Sequence, residues 1–216
     1  MSSRDAILSR IRAALADAPP VDPPPVAEVW PRENPQSEQL AERFASELEA
    51  VRGEVVRCRS VEDARGKLAE LSAEAGWNLI GAVDRPACRE LASGLPAERI
   101  AWAEEGWNPR EMAELSAGIV AAEYLLADSG TCVIASRTPE ERLMCFLPPA
   151  CVVIGRVDQL AEHMPAAWDE IAAAVADPQR RGEVLLITGP SRTADIEKIL
   201  ILGVHGPKRL VVILVG

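Results

Sequence analysis

The residues with most chemical capacity lie in the last thirty positions: Gly189, Ser191, Arg192, Thr193, Asp195, Glu197, His205 and Gly206. A short apolar run at 184–187 has strand character, and Gly189-Pro190 reads as a turn. The spacing then predicts a helix over 194–202, stopped by Gly203 in a left-handed cap. A strand, a turn and a helix start form a small anion site, because the first amides of a helix are unpaired. Arg192 supplies a fork of donors, and Ser191 and Thr193 supply hydroxyls. A competing reading is purely local: Ser191 or Thr193 caps the helix, while Asp195 and Glu197 complement its dipole. Both readings stand at this point. His205 is in turn either a hydrogen-bonded structural residue or a base. A helix over 194–202 is roughly 13 Å long and would hold Ser191 and His205 at opposite ends. No Gly-x-Ser-x-Gly elbow is present either, so serine-hydrolase chemistry is not expected.

Elsewhere the chemistry thins out. The chain of 216 residues has two histidines, and its five cysteines form no Cys-x-x-Cys pair. That pattern implies buried thiols in a reducing cytoplasm, with no disulfides, cluster ligands or metal site on this chain. His163 reads as an exposed polar residue. Walker and Rossmann phosphate loops are absent, so neither ATP nor nicotinamide has support. The net charge of −10 argues against nucleic acid and anionic membranes as partners. No apolar run reaches membrane-spanning length.

The elements that must position these residues alternate. Helical stripes fall at Leu40, Phe44, Leu48 and Val51, and at Ala64, Leu68 and Leu71 behind a Ser60 cap. Strands are expected at 54–57, 79–83, 100–102 and 151–154, with short helices over 85–92 and from Pro109 to Ala117. The run Leu210-Val211-Val212-Ile213-Leu214-Val215 reads as a strand buried on both faces. Residues 119–126 and 131–134 read as a hairpin turning through Asp128-Ser129-Gly130. Asp158 is expected to cap a helix to Ala176, kinked or split at Pro165. The sum is an α/β domain, a mixed open sheet flanked by helices, over 36–216. Residues 1–35 form an amino-terminal helical arm and a Pro-rich linker. In such a sheet ligands bind beyond strand carboxyl ends at a switch point, and the 189–193 loop meets that rule. Arg142 is a candidate to hold a carboxylate; solvation as a surface charge is its other reading.

Three segments carry a family resemblance. Gly189-Pro190-Ser191-Arg192-Thr193-Ala194-Asp195-Ile196-Glu197 with Leu202-Gly203-Val204-His205-Gly206-Pro207 closely resembles the signature of the lactate-utilisation protein C family, the LUD domain. Ala127-Asp128-Ser129-Gly130-Thr131 looks like that family's acid-small-Gly-Thr turn, which adds Asp128, Gly130 and Thr131 to the binding candidates. Arg142-Leu143 and Leu147-Pro148-Pro149 extend the match, and Cys151 stands where the family pattern usually has a His. The resemblance implies a fold like sugar-phosphate isomerases and CoA transferases. It also implies an accessory role in oxidising L-lactate to pyruvate with partner proteins that carry the iron–sulfur clusters. The other class of function is a stand-alone CoA-transferase-like or isomerase-like enzyme that binds a small carboxylate or phosphate, with Asp128, Asp195 or Glu197 as its reactive carboxylate.

Overall fold

The computed structural model describes residues 3–16, 30–176, 183–193 and 201–216. The chain divides into two units, Met1–Pro31 and Arg32–Gly216. In the first, α1 (Ser3–Leu15) leaves Ile7, Ile11 and Leu15 exposed. The second carries every other element and both hydrophobic clusters.

It opens with α2 (Ser37–Ala50), whose Ala41, Phe44 and Leu48 are buried along one stripe. Next come β1 (Glu54–Cys58) and α3 (Val61–Glu74), where the Ser60 hydroxyl accepts the Asp63 N–H and caps the helix. The alternation continues through β2 (Ile80–Ala82), α4 (Pro86–Ala92), β3 (Ile100–Trp102), α5 (Pro109–Ala113) and β4 (Ala117–Ala121). Pro opens both α4 and α5, where its missing N–H costs nothing. Then follow β5 (Tyr124–Leu126), β6 (Thr131–Ser136), α6 (Pro139–Met144), β7 (Ala150–Arg156), β8 (Leu160–Ala161) and α7 (Trp168–Ala176). The chain ends with β9 (Glu183–Ile187), β10 (Arg192–Thr193), β11 (Ile201–Leu202) and β12 (Arg209–Val215).

Two sheets organise these pieces. Six strands lie parallel in the order β1-β12-β7-β4-β2-β3. The last strand of the chain is therefore central, inserted between β1 and β7, and Leu210 to Val215 are all buried. Helices α3 and α4 pack on this sheet, as parallel strands require crossovers that cover them. The second sheet runs β8-β5-β6-β9, antiparallel except for the β5–β8 pair. Strands β10 and β11 make a separate antiparallel pair.

Several expectations change here. The apolar run at 119–126 is not one strand. Residues 117–121 belong to the parallel sheet, and at Ala122 and Glu123 the backbone changes partner. The Ala122 N–H donates to the Ile154 carbonyl, the next one to Val133 of β6. The helix expected from Asp158 is interrupted by β8 because Leu160 and Ala161 find strand partners in Leu125 and Leu126. It resumes beyond Pro165 as α7, after a short 3-10 turn at Met164–Ala167. The helix from Pro109 stops at Ala113, since Ala117 is already in β4.

All five cysteines are free and buried. Burial pushes the Cys58 thiol up to about 11 and the Cys88 thiol up to about 12, and raises Cys132, Cys145 and Cys151 as well. Below the ordinary thiol pKa of about 8.5 both folded and unfolded chains keep these protons, and the contribution to stability is intact. Above it the unfolded chain loses them first, so stability falls with rising pH until the folded thiols titrate. The loss approaches about 1.4 kcal/mol per pH unit for each thiol. Urea unfolding followed between pH 7.5 and 10.5 should show this decline, and Cys88→Ala should make it shallower. A flat profile would contradict the assignment.

Candidate functional site

The decisive local fact is the absence of a helix start at Thr193. Arg192 and Thr193 pair antiparallel with Leu202 and Ile201. The Ser191 N–H donates to the Pro207 carbonyl (2.9 Å), and the Gly203 N–H donates to the Ser191 carbonyl (2.9 Å). Gly203 has a positive φ of 74° but serves a tight turn rather than a helix end. Ser191 and His205, expected at opposite ends of a helix, are thus brought to the same place. Residues 194–200, including Asp195 and Glu197, lie outside the described residues.

A cavity of about 210 Å³ lies between the two loops. Thr188, Gly189 and Ser191 line it from one side, and His205, Gly206 and Pro207 from the other. Cys145, Phe146, Leu186, Ile187 and Leu210 make the rest of the lining apolar. The loops touch closely: a Cβ on Gly206 would fall 3.2 Å from the Ser191 Cβ. Among the described residues the amides of Gly189, His205 and Gly206 donate to no acceptor. No hydrogen bond joins Ser191 Oγ to His205 among the described residues, and none orients the imidazole through a carboxylate. The pair therefore lacks the geometry of a nucleophile and its base.

The turn at 128–131 does reach this loop. Ser129 Oγ donates to Asp128 Oδ1 (3.0 Å), Ser129 Oγ and Thr131 Oγ1 are 2.8 Å apart, and Thr131 Oγ1 and Thr188 Oγ1 are 2.6 Å apart. Asp128 is thereby connected to the cavity through three hydroxyls. Gly130 has a different job. It has φ +63°, and a Cβ there would meet the Leu48 backbone nitrogen at 2.4 Å. It is where the turn lies flat on α2.

Other candidates separate from the cavity. Arg142 Nη1 donates to Glu183 Oε1 at 2.7 Å, an ion pair between α6 and β9. Arg192 is exposed on β10, beside the lining but outside it. His163 is buried, not exposed: its Nδ1 accepts the Ala166 N–H at 3.1 Å and caps the 3-10 turn.

The cavity is also not where the carboxyl-edge rule places it. The 189–193 loop follows β9, which belongs to the antiparallel sheet. Against the parallel sheet it lies at the amino ends of β7 and β12, next to Phe146 and Leu210. The switch point of that sheet is between β2, which leads to β3, and β4, which leads the other way. Its carboxyl edge holds Arg85, which pattern reading passed over. The buried guanidinium donates to Glu141 Oε2 (2.7 Å), Glu123 Oε1 (3.2 Å) and the Ala135 carbonyl (2.6 Å). Burial opposes its charge, but the Glu141 bond and the nearby carboxylates outweigh this and hold its pKa above the ordinary value. Thr188 was also missed; its only sequence signal was a hydroxyl just before Gly189.

Among the described residues no group of three His, Cys, Asp or Glu is placed to hold a metal ion. No described helix is long and apolar enough to cross a membrane.

A six-stranded parallel sheet joined to a small antiparallel sheet, with a cavity between two glycine-bearing loops, defines a two-sheet α/β fold. The LUD domain family matches residues 41–215, and the chain belongs to that family. Relatives named Lactate utilization protein C are similar in part. That of Bacillus pumilus is 35% identical over 109 residues, covering 50% of this chain and 45% of its own. That of Bacillus subtilis is 35% identical over 110 residues, covering 50% and 46%. That of Halalkalibacterium halodurans is 36% identical over 129 residues, covering 58% and 56%. The chain thus spans about half the length of the curated relatives it matches. A crystal structure of a DUF162 family protein from Deinococcus radiodurans superposes with a TM-score of 0.63 at 20% identity, over 84% of this chain and 99% of that one. That likeness establishes the fold.

Proposed function

We propose that the chain serves L-lactate utilisation as an accessory subunit that binds a small 2-hydroxy carboxylate in the cavity between the 189–191 and 205–207 loops. The observation that carries this reading is the cavity itself: about 210 Å³, with a largely apolar lining and Thr188, Ser191 and His205 as polar groups. Such a mixture suits a ligand with a short apolar substituent and a few hydrogen-bonding oxygens. The names of the curated relatives support lactate as that ligand. The electron acceptor belongs to iron–sulfur partner proteins in this reading. It is supported by the cysteines, which are buried, protonated thiols with no three of them placed among the described residues to hold a metal ion.

An exposed apolar rim favours the accessory role. Phe146 and Leu186 line the cavity yet are 38% and 52% exposed, and Val204 beside His205 is 40% exposed. A partner covering this rim would exclude water from the ligand. The stand-alone enzyme gains less support, because Asp128 is engaged by Ser129.

Calorimetric titration of the full chain with L-lactate tests the site. His205→Ala should weaken binding about tenfold, the cost of one lost hydrogen bond to a charged group. Arg192→Ala should change it by less than about threefold, as expected of an exposed charge outside the lining. Equal binding by the parent and His205→Ala would remove the ligand from this cavity.

A further inference from the structure

The hydroxyl chain behind the cavity has a direction. A carboxylate oxygen only accepts hydrogen bonds, so the single proton of Ser129 Oγ goes to Asp128. Ser129 Oγ, its proton spent, must accept from Thr131 Oγ1 at 2.8 Å. Thr131 Oγ1 has then spent its own proton, and at 2.6 Å it must accept from Thr188 Oγ1. Each hydroxyl has one proton to give, so no other assignment satisfies all three contacts. The last hydroxyl belongs to Thr188, a residue of the cavity lining. Its proton is directed at Thr131, and no other hydrogen bond to Thr188 Oγ1 is made among the described residues, so lone pairs remain to accept one.

We propose that Asp128, acting through Ser129 and Thr131, makes Thr188 an obligate hydrogen-bond acceptor in the cavity and so selects a ligand hydroxyl over a ligand carbonyl. This rests on the reading that the cavity holds a small carboxylate, and it names the class: 2-hydroxy acids, discriminated from the corresponding 2-oxo acids. A 2-hydroxy acid offers an O–H to Thr188. A 2-oxo acid offers only lone pairs, which face the lone pairs of Thr188 without a proton between them. Thr188 is exposed in the free chain, so the mismatch counts where the bound acid displaces water from its hydroxyl and leaves that polar group unpaired. The arrangement favours the reduced member of an acid pair and helps to release the oxidised one. Asp128 is a positioning residue here; it acts only through the relay.

Titration of the full chain with L-lactate and with pyruvate tests the proposal. The parent should prefer L-lactate by about tenfold or more, as one unmatched polar contact implies. Ser129→Ala breaks the relay in a half-buried turn and frees Thr131 to donate towards Thr188. Its preference should shrink to within about threefold while its melting temperature stays close to the parent's, as for most substitutions outside the core. Thr188→Val should remove the preference altogether. A parent that binds both acids equally overturns the proposal, and so does a preference that survives in Ser129→Ala and Thr188→Val. Those results would leave the cavity as a carboxylate site. Binding of neither acid to the parent would instead sink the site reading itself, and the selectivity with it.

Discussion

Gly130→Ala will destabilise the fold by about 3–4 kcal/mol, combining left-handed strain with displaced packing. The left-handed conformation alone costs an alanine about 1–2 kcal/mol. The larger part is steric. The added Cβ would lie 2.4 Å from the Leu48 nitrogen, 2.6 Å from its Cα and 2.9 Å from the Glu47 carbonyl carbon. All three are backbone atoms, so no rotamer change relieves the contact. Leu48 is itself fully buried, and α2 cannot retreat without opening the core. Chemical denaturation should register the loss, and a melting temperature lower by roughly 10 °C should accompany it. Gly130→Asn separates the two causes, since Asn tolerates the left-handed region but also carries a Cβ. It should be nearly as unstable as Gly130→Ala. Full stability of Gly130→Asn would assign the effect to φ alone, and a cost below about 1 kcal/mol for both would refute the packing argument.

A comparable loss, about 3 kcal/mol, is expected for Arg85→Ala, because one member of a buried charge cluster is removed. The Arg85 side chain is 11% exposed and that of Glu141 is 12% exposed. Without the guanidinium, Glu141 keeps the Arg137 N–H as a donor but loses its countercharge. Glu123 is 29% exposed and can rehydrate, which limits the damage. The cluster joins the start of α4, the helix α6 and the carbonyl of Ala135 in β6, so it ties the parallel sheet to the antiparallel one. Urea unfolding measures the cost. The double change Arg85→Met with Glu141→Gln should recover at least about 1 kcal/mol relative to Arg85→Ala, because no buried charge is then left uncompensated. A single-variant loss below about 1 kcal/mol would show that water already screens the cluster.

The two sites were unequally visible in the residue pattern. The stripe read at Leu40, Phe44, Leu48 and Val51, of which Phe44 and Leu48 are fully buried and Leu40 and Val51 partly so, the Ser60 cap and the strand at Leu210 to Val215 are short-range signals. Helical spacing, a hydroxyl before a helix and an unbroken apolar run each report their own environment, and the structure agrees with them. Gly130 was recognised as special through the family turn, but its reason lies in α2, some eighty residues earlier in the chain, and no local pattern shows it. Arg85 looked like any charge at a helix start. Only the approach of β6 and α6 buries it.

What the sequence by itself determined is the α/β alternation, the family, and the two loops that carry the polar residues of the cavity. What the tertiary structure decided is how those loops meet. Residues 192–193 and 201–202 have a spacing that also fits a helix, and their antiparallel pairing with one another selected the strand form. That pairing, with the Ser191 to Pro207 bond, places His205 against Ser191 at the amino edge of the parallel sheet. The β6–β9 pairing sets Thr131 opposite Thr188 and gives the Asp128 relay its end point. Strand partners are chosen by contacts between distant segments, and the energy of such a contact is not written in either segment alone.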